Sequence, residues 1–259
     1  MTDSAARRGL AVVLAHPDDE SLACGGTIAR CADSGIRVTL ICATRGQRGP
    51  ATGVHDSAAL PDVRADELER AAHLLGAERV RFLDYADGML RWTDPARLEN
   101  DIARVLAEER PHDVVTFGRD GLYWHPDHVA LADPVFRAAL RLRPRPAVSC
   151  VVMPPGAVAG LVAAVARRVP HIERSLWGIA PELFGHGALA PERVVDVRQV
   201  MRRKADAIRC HRSQLSDTHP LAAMTLEEAS TWLGFEAFHA APVEGFPSSG
   251  LIDQLAGFA

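Results

Sequence analysis

From Leu10 to about Met153, short apolar runs alternate with stretches of helical period. That rhythm is the mark of βαβ units feeding a largely parallel sheet. Strands are predicted at Leu10–Ala15, Val38–Ala43, Arg79–Leu83, Asp113–Phe117 and Val148–Met153, with helices at about Ser21–Ser34, Asp62–Leu75, Pro95–Glu109 and Pro126–Leu142. Stop signals fall where they should: Gly35, Gly76 and Pro111 follow the first three helices. Beyond Pro154 the rhythm fails. Pro154-Pro155-Gly156 opens a stretch with Pro170, Pro181, Gly185, Gly187 and Pro191, read as a divergent insertion or lid over about 154–191. Its apolar run Gly156–Ala166 reads as an ordinary buried helix, with a pocket wall for a lipid or aglycone as the alternative. A strand at Val194–Val197 and a helix over about Gln199–Cys210 follow, and the chain from Leu226 reads as a shorter helix and a tail.

The expectation is one α/β domain over residues 1–259, Rossmann-like, with helices flanking a largely parallel sheet. A chain of 259 residues that is 47% hydrophobic can bury one sizeable core. A net charge of -4 excludes the global basic excess that nucleic acid selects, so a small-molecule partner fits better. Five cysteines, odd in number and without a Cys-x-x-Cys pair, argue against a disulfide framework or thiolate zinc cluster and for a reducing cytoplasm. Arg7-Arg8 before Leu10–Ala15 superficially looks like a secretory signal. That reading fails because His16-Pro17-Asp18-Asp19-Glu20 interrupts the run at once. Gly156–Ala166 is far short of the roughly 20 residues of a membrane span, so no transmembrane segment is predicted. A homo-oligomer is compatible with the sequence.

Two segments carry chemistry. Ala15-His16-Pro17-Asp18-Asp19-Glu20 sits where the first strand gives way to the first helix, at the carboxyl end of the sheet, where open α/β sheets bind ligands. His125-Pro126-Asp127-His128 follows the fourth strand and opens a helix, with Pro126 suited to its first position. In the common strand order 3-2-1-4-5 the first and fourth strands are neighbours, so segments separated by 109 residues, from Asp19 to His128, meet in space. Two imidazoles with a carboxylate suit zinc held by three protein ligands with one position open. Zinc lowers the pKa of a water from about 15.7 toward roughly 7. A spare carboxylate serves as base, and a further histidine can donate to an oxyanion or protonate an amine. Taken singly, these acids would as readily complement a helix dipole and either histidine would as readily be a packed one. Two such clusters at strand-to-helix junctions are hard to assign to chance.

Ala-His-Pro-Asp-Asp-Glu followed by His-Pro-Asp-His resembles the LmbE or PIG-L family of zinc-dependent N-acetylglucosaminyl deacetylases. Arg64-x-x-Glu67-Leu68, Leu75-Gly76, Asp87-Gly88 and Lys204 to His211-x-Ser213-Gln214 also look like family patterns, and the likeness is poorest over about 154–191. The resemblance implies that His16, Asp19 and His128 hold the metal, zinc or alternatively ferrous iron, and that Asp18 is the general base. It implies that His125 is the electrophilic or acid histidine and that Asp127 orients its neighbours from behind the ligands. It places Tyr123 where relatives have a mobile tyrosine that polarises the carbonyl, and Arg64 and Asp87 where sugar hydroxyls are held. One departure is Thr44-Arg45-Gly46-Gln47, where many relatives carry Gly-Glu. His211, Ser213 and Gln214 would close one side of the site or simply cap a helix. The implied reaction is hydrolysis of a linear amide C–N bond in an acylated amino sugar or glucosaminide. An amidase acting on a larger acyl-amine conjugate of the mycothiol type is the alternative. A non-haem iron oxygenase shares the two-histidine, one-carboxylate set, but it needs no spare base such as Asp18. A degenerate binding module is disfavoured because every catalytic position is filled.

Overall fold

Five parallel strands form where the apolar runs lie: β1 Gly9–Leu14, β2 Arg37–Thr44, β3 Arg79–Tyr85, β4 Asp113–Phe117 and β5 Ala147–Val152. β1, β4 and β5 are buried at every residue, as strands covered by helices on both faces must be. Two later strands, β6 Arg193–Asp196 and β7 Phe235–Ala240, complete a seven-stranded sheet. The computed structural model describes residues 7–247 and 250, and among these the strand order is β3-β2-β1-β4-β5-β7-β6. The chain therefore switches direction between β1 and β4, which pair in parallel from Leu10↔Asp113 to Val12↔Val115. The loops that leave their carboxyl ends share one crevice.

The helices are α1 Asp19–Asp33, α2 Leu60–Leu75, α3 Pro95–Glu109, α4 Pro126–Leu140, α5 Ala157–Arg168, α6 Met201–Cys210 and α7 Leu226–Leu233. Their starts follow local chemistry. The Asp94 side chain accepts from the Ala96 amide ahead of Pro95, and Thr225 and Glu228 form a reciprocal capping box. Gly76, at φ 82°, ends α2. The apolar run in the divergent segment is the buried helix α5, whose Val158, Leu161, Val162 and Val165 face the core. The rest of that segment, up to β6, holds only a two-residue hairpin at Leu176–Ile179 and a short 3-10 turn at Pro181–Leu183 among the described residues. No helix among the described residues is long and apolar enough to cross a membrane, and all five cysteines are free.

The expected tail after α7 is corrected by the structure: it contains β7, inserted antiparallel between β5 and β6. Residues 251–259 lie outside the described residues. The strand escapes a hydropathy reading because two of its buried positions, Glu236 and His239, are polar. Glu236 has a structural task. At Cys24, with φ -148°, α1 kinks and frees amides. The Gly26 and Thr27 amides donate to the Glu236 carboxylate at 2.8 and 2.7 Å, and the buried Lys204 ammonium donates to it at 2.6 Å. Glu236→Gln strands that ammonium in the core and should destabilise the fold by about 3–5 kcal/mol. The double variant Glu236→Gln/Lys204→Met should recover part of the loss. Urea unfolding of both measures this, and a single variant as stable as wild type would remove Glu236 from the account.

Candidate active site and metal centre

Each half of the site hangs on strained backbone at the end of a buried strand. After β1 the chain turns into α1 through Asp18 at φ 118°, a region that non-glycine residues rarely occupy. After β4, Gly121, Leu122 and Trp124 all have positive φ (56°, 65° and 63°) before His125 caps α4, its Nδ1 accepting from the Asp127 amide at 3.2 Å. Strain of this kind persists only where surrounding structure enforces it, and it concentrates at functional sites.

Donor atoms of three residues converge. His16 Nδ1 lies 3.2 Å from His128 Nε2, His128 Nε2 lies 3.3 Å from Asp19 Oδ1, and His16 Nδ1 lies 3.5 Å from Asp19 Oδ2. The outer partners fix the tautomers. His128 Nδ1 faces the Gly121 carbonyl at 3.1 Å, so it carries the proton and Nε2 is bare. His16 Nε2 faces Asp87 Oδ1 at 3.1 Å and Asp127 Oδ2 at 3.3 Å, so it carries a proton and leaves Nδ1 as the nitrogen available to a metal. Without a metal a proton on His16 Nδ1 fills this gap between two imidazoles and a carboxylate, and a metal ion would take that proton's place. Donors about 2.0–2.2 Å from a common centre at tetrahedral angles sit about 3.3–3.6 Å apart, close to the spacing found. The residues fit a metal.

Two other groupings are close enough to share an ion, His16 with His125 and His128, and His16 with Asp87 and Asp127. His125 Nδ1 already accepts a hydrogen bond, which leaves the proton of its neutral ring on Nε2 and no free lone pair. Asp127 accepts from the Gly88 and Leu90 amides at 2.7 and 3.1 Å, and Asp87 from the Arg48 amide at 2.7 Å. Those carboxylates are occupied in holding His16.

The electrostatics agree. Burial disfavours a proton on His16, yet hydrogen bonds to Asp127, Asp19 and Asp87 outweigh it and hold the group well above the usual histidine range. The pocket therefore demands positive charge there. Burial works against ionised Asp19, but His128 and His16 keep it well below the usual carboxylate range. Asp18 is pushed up to about 6 by burial, with Arg64 opposing. His125 is pulled down to about 4, by burial first and then by the charges of His128 and His16.

His16, Asp18, Arg64, Asp87, Tyr123 and His125 line one cavity of about 260 Å3. A larger, shallower hollow of about 560 Å3 beside Asp66, Arg70, His73 and Cys210 contains none of them. Tyr123 packs on Phe184 and edge-on to His125 and His128. Arg64 is buried and reaches back: it donates to Asp18 Oδ2 at 3.0 Å, to the Pro17 carbonyl at 2.5 Å and to the Gly46 carbonyl at 2.7 Å. Its guanidinium lies so close to Gly46, at φ 64°, that an added Cβ would stand 2.2 Å from it. Arg64 and Asp87 thus line the cavity while bonded to Asp18 and His16.

His211 pairs with Glu20 at 2.8 Å, and Ser213 donates twice to Glu67, from its amide at 2.8 Å and its hydroxyl at 2.7 Å. These contacts bring Gln214 to the cavity wall. Sequence reading missed Arg48, Trp177 and Ile179, which also line the cavity. Trp177 and Ile179 lie in the divergent segment, where no periodicity marked them.

A parallel sheet that presents a metal-binding His/Asp cluster and a spare carboxylate at its carboxyl end defines a metal-dependent hydrolase. Residues 11–139 match the family model described as PIG-L, GlcNAc-PI de-N-acetylase. A protein of Bacillus cereus named probable N-acetyl-alpha-D-glucosaminyl L-malate deacetylase 2 is 31% identical over 243 residues, covering 89% of this chain and 96% of its own. The chain belongs to the PIG-L family and is a deacetylase acting on a linear amide C–N bond. The 1D-myo-inositol 2-acetamido-2-deoxy-alpha-D-glucopyranoside deacetylase of Kineococcus radiotolerans is 36% identical over 160 residues, covering 51% of this chain but only 44% of its own length. Among solved structures, the N,N'-diacetylchitobiose deacetylase of Pyrococcus horikoshii superposes with a TM-score of 0.62 at 23% identity, covering 95% of this chain and 88% of that one. That likeness shows the fold.

Proposed function

We propose that the protein removes the N-acetyl group from an N-acetylglucosaminyl conjugate, releasing acetate and a free amine, with one zinc ion held by His16, Asp19 and His128. The observation that carries this reading is the convergence of His16, His128 and Asp19 to contacts of 3.2–3.5 Å, with the Asp18 carboxylate on the wall of the same cavity as His16. The names of the relatives supply the sugar class. Zinc suits two neutral imidazoles and one carboxylate, and ferrous iron is the alternative occupant. When bound, the ion supplies Lewis acidity that acidifies a water and polarises an amide carbonyl.

The side chains do the rest. Asp18 takes the proton of the attacking water as the C–O bond forms and returns it to the amine nitrogen as the C–N bond breaks. Arg64 holds Asp18 in position and keeps it ionised. His125, neutral with its proton on Nε2, donates to the carbonyl oxygen as negative charge gathers there, and Tyr123 beside it completes the donor set. Asp127 and Asp87 fix the His16 ring so that Nδ1 faces inward. The free cysteines suit a reducing compartment such as the cytoplasm.

Chelation tests the metal. Dialysis against a strong chelator should abolish amine release from N-acetylglucosaminides, and one equivalent of zinc should restore it. Undiminished turnover by metal-free protein would rule out the assignment.

A further inference from the structure

The divergent segment carries a two-residue hairpin at Leu176–Ile179. The Leu176 amide donates to the Ile179 carbonyl at 3.1 Å and the Ile179 amide to the Leu176 carbonyl at 2.8 Å. Both residues at its tip have positive φ, 51° at Trp177 and 79° at Gly178, which is a type I′ turn. Asn or Gly normally leads such a turn, because a bulky side chain is strained in the left-handed region. Trp177 is held there regardless. Its indole Nε1 donates to the Gln214 carbonyl at 3.0 Å, and its ring packs against the buried His219 at a centroid distance of 5.2 Å. Glu173, just before the hairpin, is bound by the hydroxyls of Ser216 at 2.5 Å and Thr218 at 2.8 Å. So anchored, the indole lines both the catalytic cavity and a small interior hollow bounded by Leu22, Ile208 and Leu221.

The rest of the catalytic cavity is mostly polar: His16, Asp18, Arg64, Asp87 and His125 offer charges and hydrogen bonds. Trp177 and Ile179 form an apolar wall of it, with Pro50 and the Tyr123 ring the other apolar lining. A pyranose has that same division, with hydroxyls around its rim and C–H bonds on its faces. A fixed, flat, apolar surface beside convergent polar groups is how proteins seat such amphipathic ligands. We propose that Trp177 is a substrate-binding residue, a platform on which a C–H face of the sugar ring rests while the N-acetyl group reaches the metal end. The inference rests on the glucosaminide reading above and adds to it the residue that recognises the ring.

The test uses the zinc-loaded full-length enzyme with two variants. Trp177→Asn suits the turn and removes the aromatic surface, and Trp177→Phe keeps one. Kinetics are measured on methyl N-acetylglucosaminide. Calorimetry measures binding of the product, methyl glucosaminide, and so reads ring recognition without turnover. Trp177→Asn should raise KM and the product Kd by about tenfold or more, leave kcat within about threefold, and be largely rescued in Trp177→Phe. Unchanged KM and Kd, or a loss confined to kcat, would overturn the platform while leaving the deacetylase reading intact. Wild type that releases no amine yet binds methyl glucosaminide through Trp177 would keep the platform and remove the proposed glucosaminide substrate, and absence of both would remove both.

Discussion

Asp18→Asn should leave the metal bound and lower kcat by about 100-fold or more, the usual cost of losing general-base catalysis. The substitution preserves shape and the hydrogen bond from Arg64, so a loss of this size reports on the missing proton acceptor. Asp19→Asn should do the opposite and deplete the metal, since its carboxylate faces His16 Nδ1 and His128 Nε2. Metal analysis beside amine release separates the two, and a metal-free Asp18→Asn would show the roles exchanged. The pH profile carries the same information. A base works deprotonated, and burial raises Asp18 to about 6. Activity should therefore be present above that pH and fade as the pH falls through it. A bound cation adds positive charge nearby and shifts the acid limb downward, so its midpoint should lie at or below about 6. Asp18→Asn should abolish the limb.

His125→Ala should retain the metal and lower kcat by about 100- to 1000-fold with little change in KM, as removal of a single oxyanion donor does. The sign follows from protonation. Held down near 4, His125 stays neutral through the working range, and its Nδ1 is taken up by the Asp127 amide, so the proton it offers is on Nε2. In the proposed mechanism it would act as a hydrogen-bond donor across the whole acid limb without setting that limb. Turnover of His125→Ala within a few fold of wild type would strike it from the mechanism.

The parts of this molecule that hydropathy writes plainly were legible. β1, β4 and β5 are apolar throughout because both faces are covered, and their order alone brings His16 and Asp19 to His128. What stayed hidden depends on tertiary placement. Arg64 and Asp87 were legible as site residues only through the family resemblance, and that Asp87 faces His16 and Arg64 lies behind Asp18 emerges from the structure alone. β7 is masked by Glu236, whose partners come from a kink in α1 and from α6. Trp177 was invisible for a different reason: Trp-Gly is not a sequence that announces a type I′ turn, so its position emerges only from the backbone that tolerates it.

The split origin of the proposed metal ligands would couple chemistry to stability. His16 and Asp19 stand at one chain crossing and His128 at another, so a disordered chain has no cage for the ion. Occupancy then selects the native form by mass action, worth about 2.7 kcal/mol when free metal is a hundredfold above its dissociation constant. A metal held by the proposed ligands would work as a rivet between the two halves of the sheet, and starvation for it would soften the scaffold as well as silence it.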